Sequence, residues 1–256
     1  MLNLMRFQPF GFVISKTPTT SSALASRTRR HGSPRMMLTT RNACKYSGYP
    51  RYFPANKSLL SPRDKFGGLL KLIQVLKPNG ADIVAAAKPC KPMHWISLII
   101  LLDQLPRNCF RGAQARVAFT FFDSFALVVA SHAIESGVPM EPEVRFRLAY
   151  RFWFYMPMEH CESLEVAEMS HKAHFDMFHD YERLLERDVE GWDGEFAQHR
   201  AVLLKRRSDF GKLKGIITSI CDSKLDALRQ FGRFPQRNEV LGRTSTAEEL
   251  QFLDGK

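Results

Sequence analysis

The stretch WISLIILLDQLPRNCFRG, residues 95–112, holds the pattern on which the fold turns. Its first eleven residues are apolar nearly all round, which marks a helix buried on several sides rather than an alternating strand. The run then breaks into Pro106, Arg107 and Asn108. The same succession recurs in RQFGRFPQRNEVLGR, residues 229–243, where an apolar helical stretch stops at Gly232 and gives way to Arg233, Pro235, Arg237 and Asn238. A chain that twice places arginine and asparagine where a helix ends is expected to have its working surface there.

Working outward, helical signals dominate from Lys65 on. Residues 66–76 are apolar at three-to-four spacing and stop at Pro78-Asn79-Gly80, and residues 81–88 form a short helix ended by Pro89. Residues 114–136 make a long helix closed by Gly137 and Pro139. Residues 142–155, packed with aromatic side chains, form another, ended by Pro157. A long amphipathic helix over 161–188 follows, then one or two helices over 195–231 with a break near 208–211. Thr246 and Glu249 stand in capping-box spacing for a last helix over 247–253. No Asn-Gly hairpin and no convincing alternating strand is present. The expectation is an all-α fold, one helical domain over residues 64–256 built of antiparallel helix pairs in a bundle or α-solenoid, with no clean repeat of about 34 residues.

Charge is distributed unevenly. Residues 1–63 hold eleven Lys or Arg and no acid, so the remaining 37 − 11 = 26 basic residues balance the 26 acidic ones, and the net +11 lies in the leader. The basic excess is therefore no sign of nucleic-acid binding by the helical part. The acid-free, Arg- and Ser-rich leader reads as a largely unstructured transit peptide and implies mitochondrial localisation, with a cytoplasmic protein as the alternative. Because it lacks an apolar periodic face, a chain beginning at Lys57 is expected to unfold within about 0.5 kcal/mol of the full chain. Comparing the two melting curves checks this, and a large drop would show that the leader packs on the domain.

Five cysteines at wide, unpaired spacing read as free buried thiols, neither a zinc framework nor a disulfide scaffold. The longest apolar runs, 93–102 and 117–130, are short of the roughly 18 residues a membrane span needs and carry His94 or Asp123, which points to a soluble protein. The basic run Lys205, Arg206, Arg207, Lys212 and Lys214 lacks the interleaved aromatics of a nucleic-acid platform and reads as a solvated face.

Three ordered words carry a family likeness: LLDQLPRNCFRG (101–112), PMEHCE (157–162) and QFGRFPQRNEVLGRTST (230–246). Over about residues 92–253 they resemble the domain of unknown function 924 family, whose pattern runs LLDQFPRNxFRG, PxxHSE and HxDxIxRFGRFPHRNxxLGRxST. The resemblance implies a helical fold related to tetratricopeptide repeats and names no reaction. Cys161 stands where the family has Ser, and Lys224 and Gln236 where it has His. Proton chemistry by either family histidine would be lost here. The family's aromatic-rich first helix is not evident in residues 1–90, and residues 66–76 are its natural substitute.

Two readings of these words remain open. An arginine at a helix end offers a fork of donors matched to carboxylate or phosphate. Gln104, Arg107, Asn108, Arg111, Arg233, Arg237, Asn238 and Arg243 would then line a groove for an acidic peptide or a small anion, making the chain a binding or scaffold module. In the other reading the same residues pair internally to fix the helix connections, since buried charges are usually paired. An enzymatic alternative, a hydrolase acting on an anionic substrate, would use Asp103, His160 and Glu162 as its catalytic groups. Glu168 and His171 have a Glu-x-x-His spacing, but no second such pair exists, so neither metal nor cofactor is expected.

Overall fold

The computed structural model describes residues 61–186 and 194–254, and the leader's expected state lies outside them save for residues 61–63. Among the described residues there are helices and no strands, as the periodicity implies. The first helix, Pro62–Leu76, starts four residues earlier than its apolar spacing suggests. Ser61 and Asp64 form a reciprocal capping box, and Pro62 occupies the first turn, where its missing N–H costs nothing. The helix buries Phe66 and Leu70 and packs on Leu105–Cys109. Asn79 and Asp82 cap the next helix, Gly80–Ala87, in the same way.

The apolar run of residues 95–105 does not end at Pro106. Pro92–Ile99 widens into a π-helical turn, Ile100–Gln104, and continues as Leu105–Cys109 with Pro106 in its first turn. Proline removes one donor from the ladder, and a widened turn directly before it absorbs the mismatch. A second π-turn, Ala118–Phe122, interrupts the long helical stretch 112–135 just before Asp123–Glu135. That stretch is continuous over Gly112–Glu135 and, by length and composition, apolar enough to cross a membrane, longer than the run read from sequence. Phe122, Ala126, Val129, Ala130 and Ala133 are all buried in the protein core. It ends where expected, with Gly137 at φ 74°.

Residues 142–155 differ from the single helix expected. They form Pro142–Arg145, Leu148–Arg151 and Phe152–Phe154, and Pro157 sits inside the following short helix Met156–Glu159 rather than ending one. The break serves a charge. Arg145 and Arg151, on either side of it, both reach Asp180, at 2.9 and 2.8 Å.

Two long helices, Leu164–Glu186 and Arg207–Phe231, pack side by side. Their polar pairs Glu182–Lys214, His171–Asp222 and Glu168–Arg229 run in opposite residue order, so the pair is antiparallel. Gly194–Lys205 lies between them in the chain, and the break falls at Arg206 rather than at 208–211. Gly232, at φ 66°, closes the second long helix, and the Thr246–Glu249 capping box opens the last, Ala247–Asp254.

Candidate functional site

The segment 157–162 lies between the two arginine-bearing words in the chain and holds both. His160 Nδ1 lies 2.6 Å from Asp103 Oδ1, 57 residues away in the π-turn of the first word. Glu162 reaches the second word instead: its carboxylate takes both terminal nitrogens of Arg243, at 2.7 and 2.9 Å, and the backbone N–H of Phe234 at 2.9 Å. A bidentate guanidinium–carboxylate pair of this kind fixes orientation as well as distance.

The two words also meet each other. Arg107 donates to Asp123 Oδ1 at 2.5 Å and lies 3.4 Å from Asp103, while Arg237 faces the other oxygen of Asp123 at 3.4 Å. Both guanidinium carbons lie near the Phe119 ring, at 5.4 and 4.6 Å from its centre. Phe119 belongs to the second π-turn and Asp123 starts the helix after it, so the two π-turns bring Asp103, Phe119 and Asp123 to the arginines. Asn238–Leu241 packs on Gly112–Gln114 and Ala115–Val117, closing one word over the other.

The remaining predicted residues are placed as follows. Arg233 is gripped by Glu249 at 2.6 and 2.9 Å, and Asn238 donates to the same carboxylate at 3.0 Å. Glu249 thus caps its helix and ties down the second word at once. Asn108 donates to the Gln104 backbone oxygen, and exposed Arg111 donates to Asn108 Oδ1 at 2.7 Å. Gln104 hydrogen-bonds to Asp103. Arg233, Arg237 and Arg243 therefore each face an internal carboxylate, and so does Arg107.

Electrostatically the cluster is close to neutral. Burial raises the cost of ionising Asp103, yet His160 and Arg107 hold its carboxyl well below the usual range. Burial and the Arg107 charge push His160 down to about 3, so at neutral pH it is an uncharged imidazole donating Nδ1–H to Asp103. Asp123 is different: burial pushes its carboxyl up despite Arg107 and Arg237. Arg107 Nε and Asp123 Oδ2 are buried without a hydrogen-bond partner. The weak point of the network is therefore the one carboxylate shared between the two words.

Other expectations are partly corrected. Cys109 and Cys221 are buried, but Cys90 is exposed, 3.6 Å from His94, and Cys44 lies outside the described residues. Glu168 pairs with Arg229 and His171 with Asp222. An open groove of about 630 Å³ runs along the Arg207–Phe231 helix, lined by Lys214, Gly215, Thr218, Asp222, Asp226 and Phe252 and by none of the predicted arginines. Sequence reasoning missed Asp123 and Glu249 as arginine partners. Asp123 showed only as a charge in an apolar run, and Glu249 only as a cap.

No curated protein matches the chain. A solved protein of unknown function from Agrobacterium tumefaciens is similar in fold, with 23% identity, a TM-score of 0.50 and coverage of 76% of this chain and 82% of that one. The family model described as bacterial protein of unknown function (DUF924) matches residues 63–256, the span that contains all three interlocked words, and the chain belongs to that family.

Proposed function

We propose that this protein is a helical binding module, of the tetratricopeptide-like kind, that recognises an acidic side chain of a peptide or a small anion at the largely buried cluster of Phe119, Arg107 and Arg237. The observation that carries the reading is the sharing of Asp123. Two guanidiniums converge on one carboxylate whose ionised form is disfavoured by burial, beside a half-buried aromatic ring, with exposed Arg111 on the segment that follows Arg107. An incoming carboxylate or phosphate competes with Asp123 for donors that are already oriented.

The hydrolase reading has less behind it. The 2.6 Å contact between Asp103 and His160 has the form of an orienting carboxylate on an imidazole. Yet His160, held at about 3, stays neutral through the range where a general acid must protonate, and Glu162 is engaged by Arg243 and the Phe234 amide.

Replacing Asp123 by Asn tests the binding reading, because it leaves both arginines without their shared anion. Inorganic phosphate and a polyglutamate peptide should each raise the melting temperature of Asp123→Asn more than that of the parent, with apparent affinity tighter by about tenfold. Equal shifts, or none in either protein, would leave the cluster a purely internal lock and remove the binding reading.

A further inference from the structure

A second group of polar residues, all buried except the half-buried Lys224, gathers around Glu159. Glu159 closes Met156–Glu159; Ser170 and His174 lie on Leu164–Glu186; Cys221 and Lys224 lie on Arg207–Phe231. Glu159, His174 and Cys221 are 4%, 3% and 3% exposed. Each presents a metal-ligating atom to the other two. Glu159 Oε1 is 3.0 Å from Cys221 Sγ and 3.4 Å from His174 Nδ1, and the sulfur and that nitrogen are 3.9 Å apart.

Those three edges can be compared with a coordination sphere. A tetrahedral zinc ion, with bonds of about 2.0 Å to nitrogen and oxygen and about 2.3 Å to sulfur, spaces its ligand atoms roughly 3.3–3.6 Å apart. The observed triangle brackets that spacing, so a cation can reach all three atoms with side-chain shifts of a few tenths of an ångström. The arrangement around the carboxylate is also divided in the required way. Oε1 accepts the Cys221 thiol and the Ser170 hydroxyl, at 3.0 and 2.8 Å, whereas Lys224 sits on Oε2 at 3.1 Å and on the Glu159 backbone oxygen at 2.9 Å. The lysine thus holds the oxygen that faces away from the triangle, in the manner of an outer partner that orients a ligating carboxylate.

We propose that Glu159 Oε1, His174 Nδ1 and Cys221 Sγ form a binding site for a divalent cation of the zinc type. The donor set decides the class of metal: thiolate and imidazole with one carboxylate suit zinc or cobalt, while calcium and magnesium take oxygen ligands alone. Binding forms three metal–ligand bonds. The thiol proton of Cys221 leaves to solvent, and the proton that His174 Nδ1 directs at the Ser170 backbone oxygen, 3.0 Å away, moves to Nε2. The change gives up the hydrogen bond to Ser170 O and places a proton on Nε2, which is buried without a partner, a cost that the three metal–ligand bonds offset. Three protein ligands leave the fourth position open, the pattern of a site that also holds water or a further ligand.

Cobalt(II) titration of the full chain, stripped of metal, reads thiolate ligation directly. One equivalent should produce thiolate-to-cobalt charge-transfer absorption with the intense visible bands of a tetrahedral ion, and zinc should abolish both. The signal should survive Cys90→Ser, which removes the exposed cysteine beside His94, and disappear in Cys221→Ser. Absence of the charge-transfer band in the parent overturns the proposal, as does its persistence in Cys221→Ser or its loss in Cys90→Ser. Should Cys221→Ser fail to fold, the parent alone decides. Zinc must slow alkylation of Cys221 in mild denaturant at least tenfold relative to Cys109, read by peptide mass, and equal rates overturn the site.

Discussion

Replacing Arg107 by glutamine is expected to destabilise the protein by about 3–5 kcal/mol, because it leaves buried Asp103 without a cation and Asp123 with only the looser Arg237. Arg237→Gln should cost less, since its pairing with Asp123 at 3.4 Å is looser and part of its hold comes from the rings of Phe119 and Phe234. For a domain of this size the first change corresponds to a fall of roughly 10 °C in melting temperature. The double variant Arg107→Gln with Asp123→Asn should lose clearly less than the sum of the single changes, because removing both partners of a buried pair leaves fewer uncompensated charges than removing one. Thermal or urea unfolding of the parent, the three single variants and the double variant measures these differences. A cost below about 1 kcal/mol for Arg107→Gln would show that the cluster does not hold the two words together.

These magnitudes explain why one set of residues reads equally well as site and as scaffold. An arginine that must present a preorganised fork to a ligand has to be held by something, and here carboxylates hold it. Under the proposed reading the recognition surface and the structural lock would be the same atoms, with the exposed Arg111 and half-buried Phe119 where the two roles separate.

Helix ends were legible because their chemistry is local. Gly137 and Gly232 adopt the left-handed conformation that glycine tolerates, and Thr246 with Glu249 forms the box its spacing announced. The boxes at Ser61–Asp64 and Asn79–Asp82 are just as local, but they use aspartate where the common signature has glutamate or glutamine. The π-turns at Ile100–Gln104 and Ala118–Phe122 are not legible in the same way. One extra residue in a turn leaves an apolar run looking like any other buried helix, and Pro106 reads as a stop when it is an early position of a resumed helix. The split of residues 142–155 depends on Asp180, some thirty residues on, which no local pattern reveals.

For the candidate site, residue type singled out the two words and long-range pairing chose their partners. The arginines of both words were visible, and the structure brings Arg107 and Arg237 to one carboxylate. That carboxylate, Asp123, stood in a run noted only for being apolar. Glu159, Ser170, His174 and Cys221 were not legible as a group, because they become one only when the two long helices pack antiparallel beside residues 156–159.

Acid should begin to destabilise this protein above the usual carboxylate range. His160 has an ordinary value near 6.5 when unfolded and about 3 when folded, so its folded state binds fewer protons between those limits. The sign follows directly: the stability linked to His160 is complete above about pH 6.5 and is lost as pH falls toward 3. Between pH 7 and 4.5 this one group accounts for about 2.5 kcal/mol at roughly 1.4 kcal/mol per pH unit. Burial also lowers His174, against the pull of Glu159, which adds a loss of the same sign in the same window. Glu159, held at about 2 by Lys224 and His174 despite its burial, contributes only below about pH 4.5. Asp123 opposes these terms, because burial makes its carboxyl take up a proton in the folded state at higher pH than in the unfolded one. Urea unfolding at pH 7, 5.5 and 4.5 should show between one and two protons taken up per molecule unfolded, and His160→Gln should remove about one of them while keeping a donor for Asp103. A stability flat across that range would mean that His160 is charged when folded, and the neutral imidazole at the centre of the cluster would have to be abandoned.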